Sequence, residues 1–282
     1  MKRRVVAVLS LLVCLLVSGA LIGCSDLPSL EQAQRQTQMF PTVSAKATIT
    51  EGVLTIGVNT ENPPYAWRTS SAVTPVEGVD IDVALALAEN MGLTAHFVNI
   101  GTNVNAAANG ACDIVMGVQG SVLTDGRELV IGSYSDSAPA IFGAEQPEVV
   151  TVTELAISDV GVQDNSVSAR ALQTIAPTCL LTPYATLNDA FAALAAGDVD
   201  YVACDSFMGG YLATAYPTIT MVGALSLPET RGIAVATSNG ELQTAVRSAL
   251  DTISSNGKLR LIREKWVGDL GVITSSTLVV NQ

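Results

Sequence analysis

From about residue 52 to residue 268, short apolar runs alternate with segments of helical period, and that alternation is what most restricts the fold. Residues 52–58, 94–100, 114–116, 159–163, 180–182 and 201–204 have the length and apolarity of buried strands. Helices are predicted over 83–91, over a stretch ending near Asn109-Gly110, over 167–175 and over 187–196, with two more after Ala236. Strands alternating with helices are the signature of a mainly parallel sheet covered on both faces. The best-defined unit is the helix carrying Leu187, Ala190, Phe191 and Leu194 on one face, broken at Gly197-Asp198 and followed by a strand that ends on Asp205. In open α/β sheets ligands bind beyond the carboxyl ends of the strands, which is where Asp205 falls. An earlier stretch repeats the theme, with Asp113, the strand Ile114-Val115-Met116 and a polar loop reaching Arg127. One acid and one base on loops after similar strands predict two similar lobes that face each other.

The amino terminus is a targeting segment rather than part of the fold. Lys2-Arg3-Arg4 is a positive n-region, 5–17 is an apolar core, and Leu21-Ile22-Gly23-Cys24 places small residues before a cysteine. That quartet resembles the lipobox of bacterial lipoproteins, which implies a signal peptide over 1–23 and lipidation of Cys24. A plain secretory signal is the alternative. Lipid chains on Cys24 would anchor the protein to the membrane without spanning it. The polar, Gln-rich residues that follow, up to about 48, read as a flexible tether.

The formal net charge is −12, and −15 once Lys2, Arg3 and Arg4 are removed. An acidic body argues against nucleic acid, which needs basic patches for its phosphates. Beyond Cys24 the cysteines are Cys112, Cys179 and Cys204, an odd number with no CxxC spacing, and no disulfide, zinc site or other metal site is predicted. His96, the single histidine, lies in a predicted strand, which argues against His-dependent triads.

Taken together in order and spacing, several short pieces resemble the extracytoplasmic solute-binding proteins of polar amino acid ABC importers. They are Pro63-Pro64-Tyr65, Gly78-Val79-Asp80-Ile81-Asp82-Val83, Thr124-Asp125-Gly126-Arg127, Val160-Gly161-Val162-Gln163, Gly197-Asp198-Val199-Asp200, Gly232-Ile233-Ala234-Val235 and Lys265-Trp266-Val267-Gly268. The resemblance implies a two-lobed periplasmic-binding-protein fold of type II, each lobe a mainly parallel sheet flanked by helices, joined by two hinge strands. On that pattern lobe 1 is 49–138 plus 227–282 and lobe 2 is 139–226. It further implies an extracytoplasmic, monomeric binding protein without a cofactor. Such a protein passes a small amino acid to permease and ATPase subunits.

By the same resemblance Arg127 grips the ligand α-carboxylate, for which a planar guanidinium fork is suited. Asp205 receives the α-ammonium, with a helix cap as its alternative role. Ser166 matches a loop whose hydroxyl and amides cradle a carboxylate, or it is a helix N-cap. Gln163 reaches a ligand side chain or caps its strand. The sequence departs from the family at Asn62 and Ile100, where aromatics are usual, and at Val122, where a hydroxyl is usual; Ser121 or Gln119 in the longer 117–124 loop can substitute. Asn59 stands where binders of basic amino acids carry an acid. Tyr65 and Trp67 are expected to be lobe packing, with a stacking platform as the alternative. Two other functions fit the same fold: an enzyme resembling cyclohexadienyl dehydratases, with Glu61 or Asp205 as general acid, and a ligand-sensing lipoprotein. No enzyme activity is expected.

Overall fold

The computed structural model describes residues 40–71, 75–146 and 148–279. The signal peptide, Cys24 and most of the predicted tether lie outside the described residues.

The first sheet is built on β1 (Val53–Val58), whose residues are nearly all buried because both faces are covered. It pairs in parallel with β5 (Thr94–Asn99) on one side and with β6 (Ile114–Val118) on the other. Next come β13 (Glu229–Ala236), antiparallel to β6, and β7 (Glu128–Ser137), antiparallel to β13, giving the order β5-β1-β6-β13-β7. The second sheet has order β10-β9-β11-β8-β12. Here β10 (Leu180–Tyr184), β9 (Asp159–Gln163) and β11 (Tyr201–Asp205) are parallel, while β8 (Pro139–Ala144) runs against β11 and β12 (Ile219–Ala224) against β8. Each sheet therefore has three parallel strands, then one antiparallel strand that arrives from the other sheet, then an edge strand. This is the predicted two-lobed α/β architecture, with β7–β8 and β12–β13 as the two crossings.

Helix α1 (Val79–Asn90) begins four residues before the predicted 83–91 start. Gly78, with φ 137°, turns the chain into it, and Asp80 and Asp82 lie in the first turn, where the helix dipole favours negative charge. A small sheet, β2 (Glu61–Asn62), β3 (Ala66–Arg68) and β4 (Val76–Glu77), precedes it. The helix expected to end near Asn109-Gly110 does not form; 101–111 is a chain of turns. Asparagine side chains capture local amides there, Asn99 from Gly101 N and Asn103 from Asn105 N, and so compete with helical bonding. In the second lobe α2 (Val152–Leu155) carries a capping box from Thr151 and Glu154. Helices α3 (Val167–Ile175) and α4 (Leu187–Ala196) match their predicted spans. Helix α5 (Ser206–Ala213) follows β11 without a break, and α6 (Gly240–Ser255) and α7 (Lys258–Val267) return to the first lobe. The face predicted for α6 (Leu242, Val246, Leu250 and Ile253) is buried.

Two segments differ from the predicted lobe boundaries. Residues 42–48 are not a free tether: Thr42 N bonds Met91 O, and Val43 and Ala47 are buried in the first core, because these are the apolar residues of an otherwise polar stretch. At the other end the chain leaves the first lobe, where Val279 N bonds Ala224 O and the Val279 side chain joins the second core.

Candidate functional site

The carboxyl ends of the parallel strands in both sheets point toward the crossings. Val118, ending β6, pairs with Gly232, and Asp205, ending β11, pairs with Pro139. The crossing itself is held to α5 by two bonds, Ser206 N to Ala138 O at 2.8 Å and Ala138 N to Ser206 Oγ at 3.1 Å. Topology thus carries the strand ends of both sheets toward the crossings.

A cavity of about 180 Å³ opens at the ends of β1, β5 and β6, lined among others by Asn59, Asn62, Thr102, Asn103, Gly117 and Arg231. A larger hollow of about 650 Å³ runs along the outer edge of β5, beside His96, Phe97 and Leu85. The small cavity is the better candidate, because charged groups from several elements converge on it.

Arg231 enters from β13. Its guanidinium carbon lies 4.1 Å from the centre of the Tyr65 ring, a cation–π stack worth about 0.5–2 kcal/mol. Tyr65 is itself sandwiched: its other neighbour is Phe207 of α5, stacked at 4.9 Å and 17°. Gly117, with φ 74°, leaves room for this; a Cβ there would lie 2.8 Å from Arg231 Nη2 and 3.0 Å from Asp80 Oδ2. Asp80 is buried and accepts from the Tyr134 hydroxyl at 2.6 Å. Burial pushes the Asp80 carboxyl above the usual carboxylate range, opposed by the Tyr134 bond and by Arg231. Burial, with the Asp205 carboxylate next, pushes the Tyr65 phenol up. Two donors in this group remain unsatisfied although buried, the Tyr65 hydroxyl and Arg231 Nε. Such orphans cost about 1–3 kcal/mol each.

On the second lobe Asp205 is half-buried and caps α5, its Oδ1 accepting from Phe207 N at 3.0 Å and Met208 N at 3.1 Å. The cap role is therefore real, and it uses one carboxylate oxygen of the two. Asp205 is also among the charges felt by Arg231 and Tyr65. Ser166 caps α3 by accepting from Ala169 N at 3.1 Å. Gln163 ends β9, its amide 3.5 Å from Ala185 O.

The predicted site residues thus divide. Asn62 lines the cavity, and Asp205, Ser166 and Gln163 sit at the strand ends of the second lobe. Ser121 is exposed in a short 3-10 turn, Gly120–Val122, and Gln119 is half-buried just before it. Arg127 lies elsewhere. After β6 reaches the cavity, 119–127 runs back down the lobe, and Arg127 meets the sheet at the start of β7, where its carbonyl accepts from Thr237 N. There its guanidinium is satisfied by Asp125, at 2.8 and 2.9 Å, and by Asn109 Oδ1 at 2.9 Å, with about half its side chain exposed. The physical reason is the length of β7: ten residues of continuous strand take the place of a turn or helix near the cavity.

Arg231 was missed by sequence reasoning. No local signal singles it out: it precedes the apolar run Gly232-Ile233-Ala234-Val235 and follows Glu229 by two residues. Trp67 packs against aromatic rings, Trp266 edge-on at 5.2 Å and Tyr211 at 6.3 Å, whereas Tyr65 is buried and also serves as a stacking platform for Arg231. Cys204 is buried beneath α5 beside Gly209, and Cys112, Cys179 and Cys204 are free thiols. Among the described residues no group of His, Cys, Asp and Glu is arranged to hold a metal, and no helix is long and apolar enough to cross a membrane.

Comparison with known proteins agrees with this architecture. The chain is 26% identical over 212 residues to the candidate ABC transporter arginine-binding protein 2 of Escherichia coli (strain K12), covering 72% of this chain and 86% of that one. It is 22% identical over 223 residues to the ABC transporter glutamine-binding protein GlnH of Bacillus subtilis (strain 168), covering 76% and 81%. In structure it is similar to a polar amino acid ABC uptake transporter substrate binding protein from Streptococcus thermophilus, with TM-score 0.67, 19% identity and coverage of 80% and 90%. The family model of the bacterial extracellular solute-binding proteins, family 3, matches residues 54–269, and the chain belongs to that family.

Proposed function

We propose that this protein captures a small polar amino acid between its lobes and delivers it to the permease of an ABC importer. The observation that carries this reading is the oriented Arg231 in a cavity at the strand ends of the first lobe, with Asp205, one oxygen uncommitted, ending a strand of the second lobe near enough for its charge to act on Arg231. A zwitterion needs such a pair, a cation for its carboxylate and an anion for its ammonium. The relatives' names, for arginine and glutamine, support the amino acid class. Lobe closure would be a hinge motion at the β7–β8 and β12–β13 crossings, driven by contacts the ligand makes with both lobes together. The Leu21-Ile22-Gly23-Cys24 quartet supports an extracytoplasmic protein held at the membrane through lipid on Cys24. The lobe division of the sheets supports first-lobe and second-lobe ligand contacts from Asn62 and from Asp205, Ser166 and Gln163.

A binding role is favoured over the dehydratase-like alternative by the state of the two candidate acids. Asp205 gives one of its two oxygens to the α5 cap and does not line the cavity, and Glu61 is exposed outside it. The test is thermal unfolding against the twenty standard amino acids. A ligand at about 100 times its Kd stabilises the folded state by about 2.7 kcal/mol, which reads as a rise of several degrees. A rise with one polar amino acid, together with loss of membrane partition in Cys24→Ser, is the expected result. No rise with any amino acid would overturn the ligand class.

A further inference from the structure

Of the charged side chains lining the cavity, Arg231 is the sole cation among the described residues, and it has no committed partner. Its Nε is buried without a hydrogen bond, and its guanidinium forms no ion pair or hydrogen bond with a described residue. It is positioned nonetheless. The Tyr65 ring supports one face, Phe207 supports Tyr65, and the missing Cβ of Gly117 opens the space it occupies. A half-buried, oriented and unpaired guanidinium is costly unless something completes it. Two acids, Asp80 and Asp205, offset its charge without touching it, and Asp80 already accepts from Tyr134.

We propose that Arg231, rather than Arg127, is the anchor for the ligand α-carboxylate, and that the amino acid it holds has an uncharged polar side chain. This rests on the amino acid reading above. The fork of Arg231 offers its N–H groups to both oxygens of a carboxylate. The flanking acids then face the neighbouring ammonium, which makes a zwitterion a better fit than a simple carboxylate. Beyond the anchor and Asp80, the polar side chains of the lining are Asn59, Asn62, Thr102 and Asn103, beside the apolar Ile100, Val104 and side chains of β6. Asn59 and Asn103 spend their carbonyl oxygens on backbone amides, of Glu61 and Asn105, which leaves amide N–H groups to donate. Asp80, the one carboxylate of the lining, is engaged by the Tyr134 hydroxyl, and there is no second cation to pair an acidic side chain, whereas amide and hydroxyl side chains match the polar part of the lining. The volume, about 180 Å³, equals roughly six waters at ~30 Å³ each, in keeping with a short side chain.

The test is titration calorimetry on the full chain, expressed with its leader and purified from cells, against the twenty standard amino acids and then the α-carboxamide of the tightest. The wild type should bind an uncharged polar amino acid best and reject its carboxamide. Arg231→Gln should weaken binding by about 100-fold or more, as truncating one partner of a buried charge pair does, and should no longer separate acid from carboxamide. Arg231→Lys, which keeps the charge but loses the fork, should fall between them. Arg127→Gln should bind as wild type. If Arg231→Gln fails to fold, the Arg231→Lys and Arg127→Gln pair still decides. Wild-type affinity in Arg231→Lys with loss in Arg127→Gln would overturn the assignment, and so would tightest binding of arginine, lysine, aspartate or glutamate. Binding of no amino acid by the wild type would overturn the proposed function itself, whereas binding that is indifferent to Arg231 would overturn this inference alone.

Discussion

The β7–β13 ribbon carries an arginine at each end, and the two could hardly be placed more differently. Arg127 lies at the end remote from the second lobe, exposed and tied to Asp125 and Asn109. Arg231 pairs through its backbone with Ser135, about eight strand residues or ~27 Å further along, where the ribbon enters the crossing. There it is half-buried, stacked and unpaired. The comparison teaches that the type of residue says less than the state of its hydrogen bonds. A satisfied surface arginine is a finished structure, while an oriented arginine without partners is half of an interaction.

The largest effect should come from removing the support beneath Arg231. Phe207→Ala deletes a fully buried ring that stacks on Tyr65 and belongs to the first core, and should cost about 3–5 kcal/mol in urea unfolding. A cost below 1 kcal/mol would mean that the stack does not hold the arginine in place. A middle-sized effect is expected from Asp80→Asn. The Asp80 carboxyl is raised in the folded state, so the folded protein binds the proton more tightly than the unfolded chain does. Stability from this group therefore falls as pH rises through the window that opens at 3.8, the unfolded value, and extends upward to the folded one. The variant should flatten that slope in unfolding curves taken at several pH values; an unchanged slope would remove Asp80 from the account. The smallest effect belongs to the other end of the ribbon. Arg127→Ala should change stability by less than about 0.5 kcal/mol, as for exposed ion pairs, with the melting temperature within a degree or two of wild type. A loss of several degrees would show that the Asp125–Arg127–Asn109 group holds the start of β7 and that the two ends are more alike than their exposure suggests.

Much of the fold was legible in the sequence where period and punctuation agree. Helix α4 has apolar residues three and four apart and a glycine at its end in the left-handed region, and its span was predicted without error. The stretch 101–111 was misread because its small apolar residues mimic a helix, while its asparagines prefer local turns. The site was partly legible. Asp205 was placed at a strand end because a run of buried residues ended on a carboxylate, and that rule needs only chain order. Arg231 was not found because nothing local distinguishes it. Its importance depends on Tyr65, Gly117 and Asp80, which lie more than 110 residues away in sequence.

The sequence by itself determined the two-lobed α/β class, through strand–helix alternation. It also placed the acids and amides at strand ends, since topology carries such positions to a cleft whatever the side chains are. Only the tertiary structure decided which arginine stands in that cleft. The loop after β6 had two routes open to it, a turn near the cavity or a descent into a longer β7, and the choice rests on register with β13 and on contacts of Glu128 and Arg127 with residues 108–109 and 237. Those are pairings between segments far apart in the chain, and their free energy is written in no single stretch of it.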